Sequence, residues 1–371
     1  MNEVAIVGGG LAGFVTYQTL RHGGLEPAEI AVFDPEADPV SSWRPRAEAI
    51  RQVRMRSESD GHCYPTSFPG LAPREAIRRG ELTPLVQTAC NRYRPSVDEF
   101  LRHVDELRGR SGWDESIVTA RIVRVTAVGG GFELQAESGG TTARFRDVLL
   151  APGHPGLRFP GELEGDPRVV HAYEPHRYGR RVAVVGAGMA AATEWLNALD
   201  AGAEVVSVRR RDPLRRPLNL PRPLFSKRGL QRFHATSPGE RAELLAELSA
   251  PSFPPGHAWD DPLERAAAEG RFRVADSVDG EEQVICATGF RQGYEHDPLL
   301  RRLVDEHGLE THGRWLVLTP DSTVGRLSDG TRTLAVAGVH GQWAYPAADT
   351  LVGMKYVARR LLRRIETCRT P

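Results

Sequence analysis

One pattern occurs twice and predicts the fold class. An apolar strand, a glycine-rich turn, a helix and a second strand run over residues 4–34 and again over 181–208. Between the copies lies "PGHPGLRFPG" (152–161), whose prolines and glycines read as a hinge. Together they predict an α/β protein with two Rossmann-like dinucleotide-binding domains.

In the first copy "VAIV" (4–7) is all apolar, as expected of a parallel strand buried on both faces. Gly8, Gly10 and Gly13 follow as G-x-G-x-x-G, then "FVTYQTLRHGG" reads as a helix and "IAVFD" (30–34) as the next strand. Glycines here permit a tight turn and let the backbone approach a pyrophosphate at a helix N-terminus. Asp34 closes the second strand, about 20 residues on, where a carboxylate binds ribose hydroxyls. The second copy reads "RVAVV" (181–185), then Gly186, Gly188 and Ala191 as G-x-G-x-x-A, the helix "AAATEWLNALDAG" and the strand "EVVSV" (204–208). It ends on Arg209, Arg210 and Arg211, where the first copy has its carboxylate. A guanidinium binds a 2′-phosphate by bidentate, charge-assisted hydrogen bonds, whereas a carboxylate repels it. Opposite ribose chemistry predicts two different dinucleotides, FAD on the first loop and NADPH on the second. One chain holding both allows hydride to pass between them.

Other segments fill in the frame. "PSVDEFLRHVDEL" (95–107) predicts a helix with a capping box from Ser96 to Glu99 and an apolar stripe of Phe100, Leu101, Val104 and Leu107. "ARIVRVTAV", "GFELQAE" and "TARFRDVLLAPG" alternate and are parted by glycine pairs, so they read as strands, the last ending at Gly153. "SPGERAELLAEL" predicts a helix with Ser237 as N-cap, Pro238 in first position and Glu240 as reciprocal partner. "MKYVARRLLRRI" reads as the last helix.

Composition excludes several function classes. The chain has 371 residues, 40% of them apolar, and a formal net charge of zero, which argues against nucleic-acid or anionic-membrane partners. Cys63, Cys90, Cys286 and Cys368 form no C-x-x-C, so neither a dithiol centre nor a zinc ribbon is expected. His171 with His176, and His307 with His312, lack carboxylate or cysteine partners at useful spacing, so no metal is expected. No secretory signal and no apolar run of about 20 residues is present, and a soluble, cytoplasmic protein is expected.

At this point the residues resemble the single-component flavin monooxygenases, the flavin-containing and N-hydroxylating types. "GAGMAAATE" (186–194) is similar to the N-hydroxylases' Gly-x-Gly-Gln-Ser-Ala-Ala-Glu loop, with Ala190 in place of serine. Ala287-Thr288-Gly289-Phe290 matches their A-T-G-[FY] turn, and "LLAPG" (149–153) resembles its first-domain equivalent. "LFSKRGLQRFHATSPGERAELL" (224–245) resembles the insertion after the second loop, and "VVHAYEP" (169–175) is partly similar to a His-containing fingerprint before it. The resemblance implies an FAD-binding domain of three-layer β/β/α type from residues 1–161 and 289–371, with an NADPH-binding domain, 162–288, inserted. It implies an NADPH-dependent monooxygenase acting with dioxygen on a small molecule, by N- or S-oxygenation through a flavin C4a-hydroperoxide. The alternative is an NADPH oxidoreductase of the same architecture that inserts no oxygen.

The resemblance also nominates site residues. "TLAVAGVHGQWAYPAADTLVG" (333–353) looks like the C-terminal flavin segment, yet Val339 follows Gly338 where disulfide-reductase relatives carry a ribityl-binding aspartate. Monooxygenase members commonly lack it too, and His340 or Gln342 is expected to substitute. The loop over 41–70 runs beside the flavin in relatives. Trp43 is therefore expected to cover the cofactor, and Arg56 and His62 to bind NADPH or substrate. The catalytic candidates are Arg56, His62 and His340. Cofactor contacts are expected at Gly153, Thr288, Gly289, Gly338 and Gln342, besides both loops.

Overall fold

The computed structural model describes residues 3–56, 62–65, 70–90, 92–217 and 220–369. Strand β1 (Val4–Val7), helix α1 (Leu11–His22) and strand β2 (Ile30–Asp34) form the first βαβ unit, with Val4 in register with Ile30. Helices α2 (Arg44–Ala49), α3 (Ala72–Arg79), α4 (Thr83–Ala89), α5 (Val97–Ser111) and α6 (Trp113–Ser116) follow. β3 (Ile117–Thr119) then pairs with β2. β4 (Ile122–Val128), β5 (Gly131–Ala136) and β6 (Thr141–Phe145) make an antiparallel sheet of their own. β7 (Asp147–Leu150) returns to lie parallel to β1.

"TARFRDVLLAPG" therefore serves two sheets and not one. Up to Phe145 it alternates and is antiparallel; from Asp147 it is buried throughout and parallel, the pattern of a strand covered on both faces. Phe145 meets Phe33 edge-on at 5.6 Å and joins the layers.

The second sheet begins with β8 (Val169–His171), β9 (Arg181–Val185), helix α7 (Met189–Asp200) and β10 (Glu204–Val208). A two-stranded patch, β11 (Leu214–Arg215) and β12 (Ser252–Phe253), is separated in sequence by α8 (Lys227–Ala235) and α9 (Pro238–Leu248). Then come α10 (His257–Ala268), β13 (Phe272–Ala275) and β14 (Gln283–Cys286). The strand order is β13-β10-β9-β14-β8, all parallel. The chain continues through α11 (Pro298–His307) and the hairpin of β15 (Thr311–His312) and β16 (Trp315–Leu316). β17 (Thr333–Val336) pairs with β7, and α12 (Leu351–Arg369) ends the described chain. The first sheet is thus β17-β7-β1-β2-β3, completed by a strand from the far side of the second. With α1 and α12 against one another, Gly23 facing Leu362, the fold is α/β with helix, parallel-sheet and antiparallel-sheet layers.

Local signals behave unevenly. Ser237 and Glu240 form the full capping box. At α5 only half forms: Ser96 accepts from the Glu99 backbone, but the Glu99 carboxylate is buried among Arg74, Arg78 and Arg102. Three cations outbid one backbone N–H for that carboxylate.

Two sets of contacts tie the sheets together. Ile50, at the end of α2, is buried in the core of the second sheet, and its carbonyl accepts from Asn197 Nδ2 at 3.0 Å. Arg51 lies over the Tyr178 ring at 4.8 Å. At the crossing of the connecting segments, Leu157 bridges to Phe290. There the His154 ring stacks on Phe290 at 4.0 Å, and Phe290 stacks on Tyr173 at 5.0 Å. No helix among the described residues is long and apolar enough to cross a membrane.

Candidate cofactor clefts and the cavity beside them

The glycines of the first loop do different jobs. Gly8 has φ +104°, and a Cβ there would lie 2.1 Å from the Ala151 carbonyl oxygen. At Gly13 a Cβ would meet the Gly8 carbonyl oxygen at 2.0 Å, so helix and strand can pack only without it. Gly10 is different: its φ −63° and ψ −173° suit any residue, and a Cβ would touch nothing within 4 Å. The fold does not require glycine there; a ligand pressed against the backbone does. α1 has no side-chain cap and no acid in its first turn, leaving its N–H groups open to an anion. Asp34 Oδ2 accepts the Gly9 N–H at 2.5 Å and Oδ1 the Glu36 N–H at 2.7 Å, which aims the carboxylate at the loop with lone pairs to spare.

The second loop repeats this. Gly186 has φ +142°, and a Cβ would lie 2.6 Å from the Ala287 carbonyl oxygen. Gly188, at φ −105° and ψ −168°, would give a Cβ only ordinary contacts, the nearest Pro251 at 3.5 Å. Ala191 is fully buried at the third position, and α7 also lacks a side-chain cap and a first-turn acid. Beyond β10, Arg209 and Arg210 part company. Arg209 is mostly buried, its guanidinium over the Trp195 ring at 5.7 Å and 3.1 Å from the exposed Asp212. Arg210 is 92% exposed and 3.5 Å from Glu162. The residues fit an adenine dinucleotide at each loop, and only Arg209 is held in place beforehand.

The hinge positions converge as well. Gly153 and Gly289 have φ +79° and +75° with open space where a Cβ would stand, and Gly338 has φ +70°, facing Ala12 at 3.7 Å. The Thr288 hydroxyl donates to the Arg158 carbonyl, and the Gly289 carbonyl accepts from Arg158 N at 3.0 Å.

A cavity of about 320 Å³ lies beside this crossing. It is lined by His154, Val339, His340, Gln342 and Asp349 together with Leu245, Leu248, Ser249, Arg314, Trp315 and Leu316. Burial pushes the His154 imidazole down to about 4, helped by Arg46 and His340. Burial also lowers His340, opposed by Asp297 and the Gly153 carbonyl.

The catalytic candidates do not meet. His340 lines this cavity. His62 is buried in another, of about 480 Å³, with Gln18, Arg21 and His22 from the C-terminal half of α1. His62 Nδ1 is 3.3 Å from Lys355 Nζ, and its ring meets His103. His62 thus stands on the flank of α1, beside Lys355 of α12, and not in the cavity that His340 lines. Arg56 has one buried nitrogen without a partner among the described residues and lines neither cavity. Trp43 packs edge-on against Phe100 at 5.4 Å, so its ring is engaged by the first core. Residues 57–61 and 66–69 of that loop lie outside the described residues.

Sequence reasoning missed His154, Arg314 and the Glu194 cluster. Glu194 is fully buried and accepts from His176 Nε2 at 3.0 Å and the Tyr178 hydroxyl at 2.8 Å. Its place as the glutamate of "GAGMAAATE" was the available signal. His154, directly after "LLAPG", carried a weaker one.

Buried histidines give the fold a pH dependence. Burial pushes His103 down to about 3, and His154 and His171 down to about 4, from the ordinary 6.5. A depressed folded pKa means the unfolded chain takes up protons first, so stability is full above about 6.5 and declines as pH falls toward 4. Thermal midpoints across pH 7.5 to 4.5 are expected to fall by several degrees, roughly as one to two kcal/mol would move them. His103→Gln should flatten that slope; an unchanged slope would show that these groups do not govern it.

A family profile described as "Pyridine nucleotide-disulphide oxidoreductase" matches residues 2–222. Comparison with curated proteins finds no match. Among solved structures, the chain is similar to the ornithine N-hydroxylase of Kutzneria sp. 744 with reduced FAD, NADP+ and L-ornithine, at TM-score 0.74 and 15% identity over 99% of both chains. It is similar to the FAD-bound cadaverine monooxygenase of Erwinia amylovora, at TM-score 0.74 and 15% identity, covering 98% of this chain and 94% of that one. It is also similar to the L-lysine 6-monooxygenase of Pseudomonas syringae, at TM-score 0.72 and 16% identity over 100% of both. At these identities the likeness establishes a shared fold.

Proposed function

Because this chain belongs to the pyridine nucleotide-disulphide oxidoreductase family, and is therefore an oxidoreductase, we propose that it is an NADPH-dependent FAD monooxygenase of a small molecule. It oxygenates a nucleophilic nitrogen or sulfur with dioxygen as co-substrate. The observation that carries this is the pair Gly10 and Gly188. Each has ordinary backbone angles, each heads an uncapped helix, and neither is required by packing. Asp34 beside one and Arg209 beside the other assign FAD and NADPH respectively. The Kutzneria enzyme carries reduced FAD and NADP+ and the Erwinia enzyme carries FAD, and their activities support oxygenation as the outcome.

When bound, the flavin supplies the redox chemistry, accepting hydride from NADPH and activating dioxygen. The chain supplies position and dryness. The α1 N-terminus binds the pyrophosphate of FAD, and Asp34 its ribose. The α7 N-terminus and Arg209 hold NADPH. His340 and Gln342 take the place of the missing aspartate in the last flavin segment. Leu245, Leu248 and Leu316 keep water from the cavity wall. Residues 1–161 with 289–371 form the FAD-binding part and 162–288 the inserted NADPH-binding part. The family's own description favours a second reading, an oxidoreductase that reduces an acceptor without inserting oxygen.

The test uses the full chain loaded with FAD, NADPH and isotopically labelled dioxygen, with panels of primary amines and thioethers. An oxygenase will put label into one panel member while peroxide release falls. NADPH consumption recovered wholly as peroxide with every compound would leave the reductase reading, and a protein indifferent to FAD would sink both.

A further inference from the structure

We propose that the turn joining α3 and α4 is the centre of a two-fold interface between two copies of this chain. The inference does not depend on the reaction the chain performs. Ile77 is 84% exposed, Leu82 74%, Val86 61% and Leu85 38%, all between residues 77 and 86. The exposed large apolar side chains outside this stretch, Val53, Val118, Leu214, Val274 and Val352, are scattered singly through the sequence. The stretch is held stiffly. Gly80, at φ +66°, closes α3: its N–H donates to the Ile77 carbonyl at 3.3 Å and the Glu81 N–H to the Ala76 carbonyl at 3.1 Å, the paired bonds of a left-handed helix end. The Leu82 carbonyl accepts from Leu85 N at 3.0 Å and Val86 N at 3.1 Å, so these three side chains share one helical face, across the turn from Ile77. A patch preformed in this way loses little freedom when it is covered.

The exposed parts of these four side chains amount to roughly 300 Å² of apolar surface. That reaches the size of the largest apolar patch a monomer ordinarily shows, and it matches the dry centre of a standard interface of about 800 Å² per partner. Charge selects the occupant. The arginines of α3 are matched inside the chain: Arg79 Nε is 3.1 Å from Glu75 Oε1, Arg78 pairs with Glu99 and Arg74 with Glu106. They offer no uncompensated field to steer an acidic partner. α4 carries no lysine or arginine, whereas a helix that lies on a membrane carries them along its polar face. A second copy needs neither. It sets apolar turn against apolar turn across a two-fold axis, and the zero net charge of the chain raises no long-range repulsion between copies.

The test is sedimentation velocity of the full chain, loaded with FAD, from about 1 to 100 µM. The unsubstituted protein is expected to sediment as two copies at the upper end, as a dissociation constant of about 1–10 µM or tighter dictates. Leu82→Asp and Val86→Asp should each weaken the dimer about 100-fold or more, by burying an unpaired charge at its centre. Leu82 heads α4, where a carboxylate suits the helix macrodipole, so that variant keeps its fold. Thermal midpoint and FAD content check both variants. Val274→Asp, at a solitary exposed valine on the edge strand β13, should change the dimer less than about threefold. A larger assembly that Leu82→Asp divides in two would support the interface equally. Single copies at the highest concentration before any substitution, a dimer that both aspartates leave intact, or an equal loss in Val274→Asp would overturn it. So would single copies that float with vesicles of phosphatidylcholine and phosphatidylglycerol, which would give the face to a membrane.

Discussion

Replacing Arg209 by alanine is expected to erase the preference for NADPH over NADH. The rate constant kcat/KM for flavin reduction by NADPH should fall roughly 100- to 1,000-fold, the loss of two charge-assisted hydrogen bonds to a phosphate. With NADH it should stay within about threefold, since no 2′-phosphate is present to lose. The side chain is already in place, held over Trp195 and tied only to an exposed aspartate that a phosphate can displace. Arg210→Ala is the internal control: at 92% exposure it should change the NADPH rate only a few-fold, as screened surface charges do. Stopped-flow reduction with each nicotinamide measures all three proteins. Equal rates with NADH and NADPH before any substitution would refute the role given to Arg209.

Gly10→Val is expected to strip the protein of FAD without unfolding it. The backbone at Gly10 accepts any L-residue, and a side chain there enters open space, so the stability change should stay near 1 kcal/mol, the scale of an N-cap substitution. The same side chain stands where the pyrophosphate must approach, and affinity for FAD should drop about 100-fold or more as the helix N–H groups are screened from it. Gly13→Val separates the two roles of glycine. It would set carbon against the Gly8 carbonyl oxygen at 2.0 Å, so loss of folding, and not merely of colour, is the expected outcome. Visible absorbance of the purified proteins, with far-ultraviolet circular dichroism, distinguishes the outcomes. A yellow, fully loaded Gly10→Val protein would rule out the first loop as the flavin site.

What could be read in the sequence was what is encoded locally. A glycine turn between a buried strand and a helix states its conformation within a dozen residues, so both loops and their opposite termini, Asp34 and Arg209, were legible. So was the Ser237 cap, whose partners are three residues apart. Side chains that meet only through the tertiary fold were not. Arg314 and His340 are 26 positions apart in sequence but line the same cavity. The stack of His154, Phe290 and Tyr173 gathers three segments from both sides of the second sheet. His62 shares a cavity with Gln18, Arg21 and His22 of α1, a neighbourhood that only the tertiary fold gives it. Helices α3 and α4 are short and carry Pro73 and Pro84 in their first turns, where proline starts a helix that it would break further in.

The burial of Ile50 among side chains of the second sheet has a consequence for how the molecule comes apart. The core of the second sheet is not closed by its own residues: the first half lends the plug and the second the socket. Excising the inserted unit would leave a greasy hole in it and an orphan isoleucine on the remainder. Heating should accordingly melt both halves in a single cooperative transition, as one thermodynamic unit, even though each has the outline of an autonomous nucleotide-binding module.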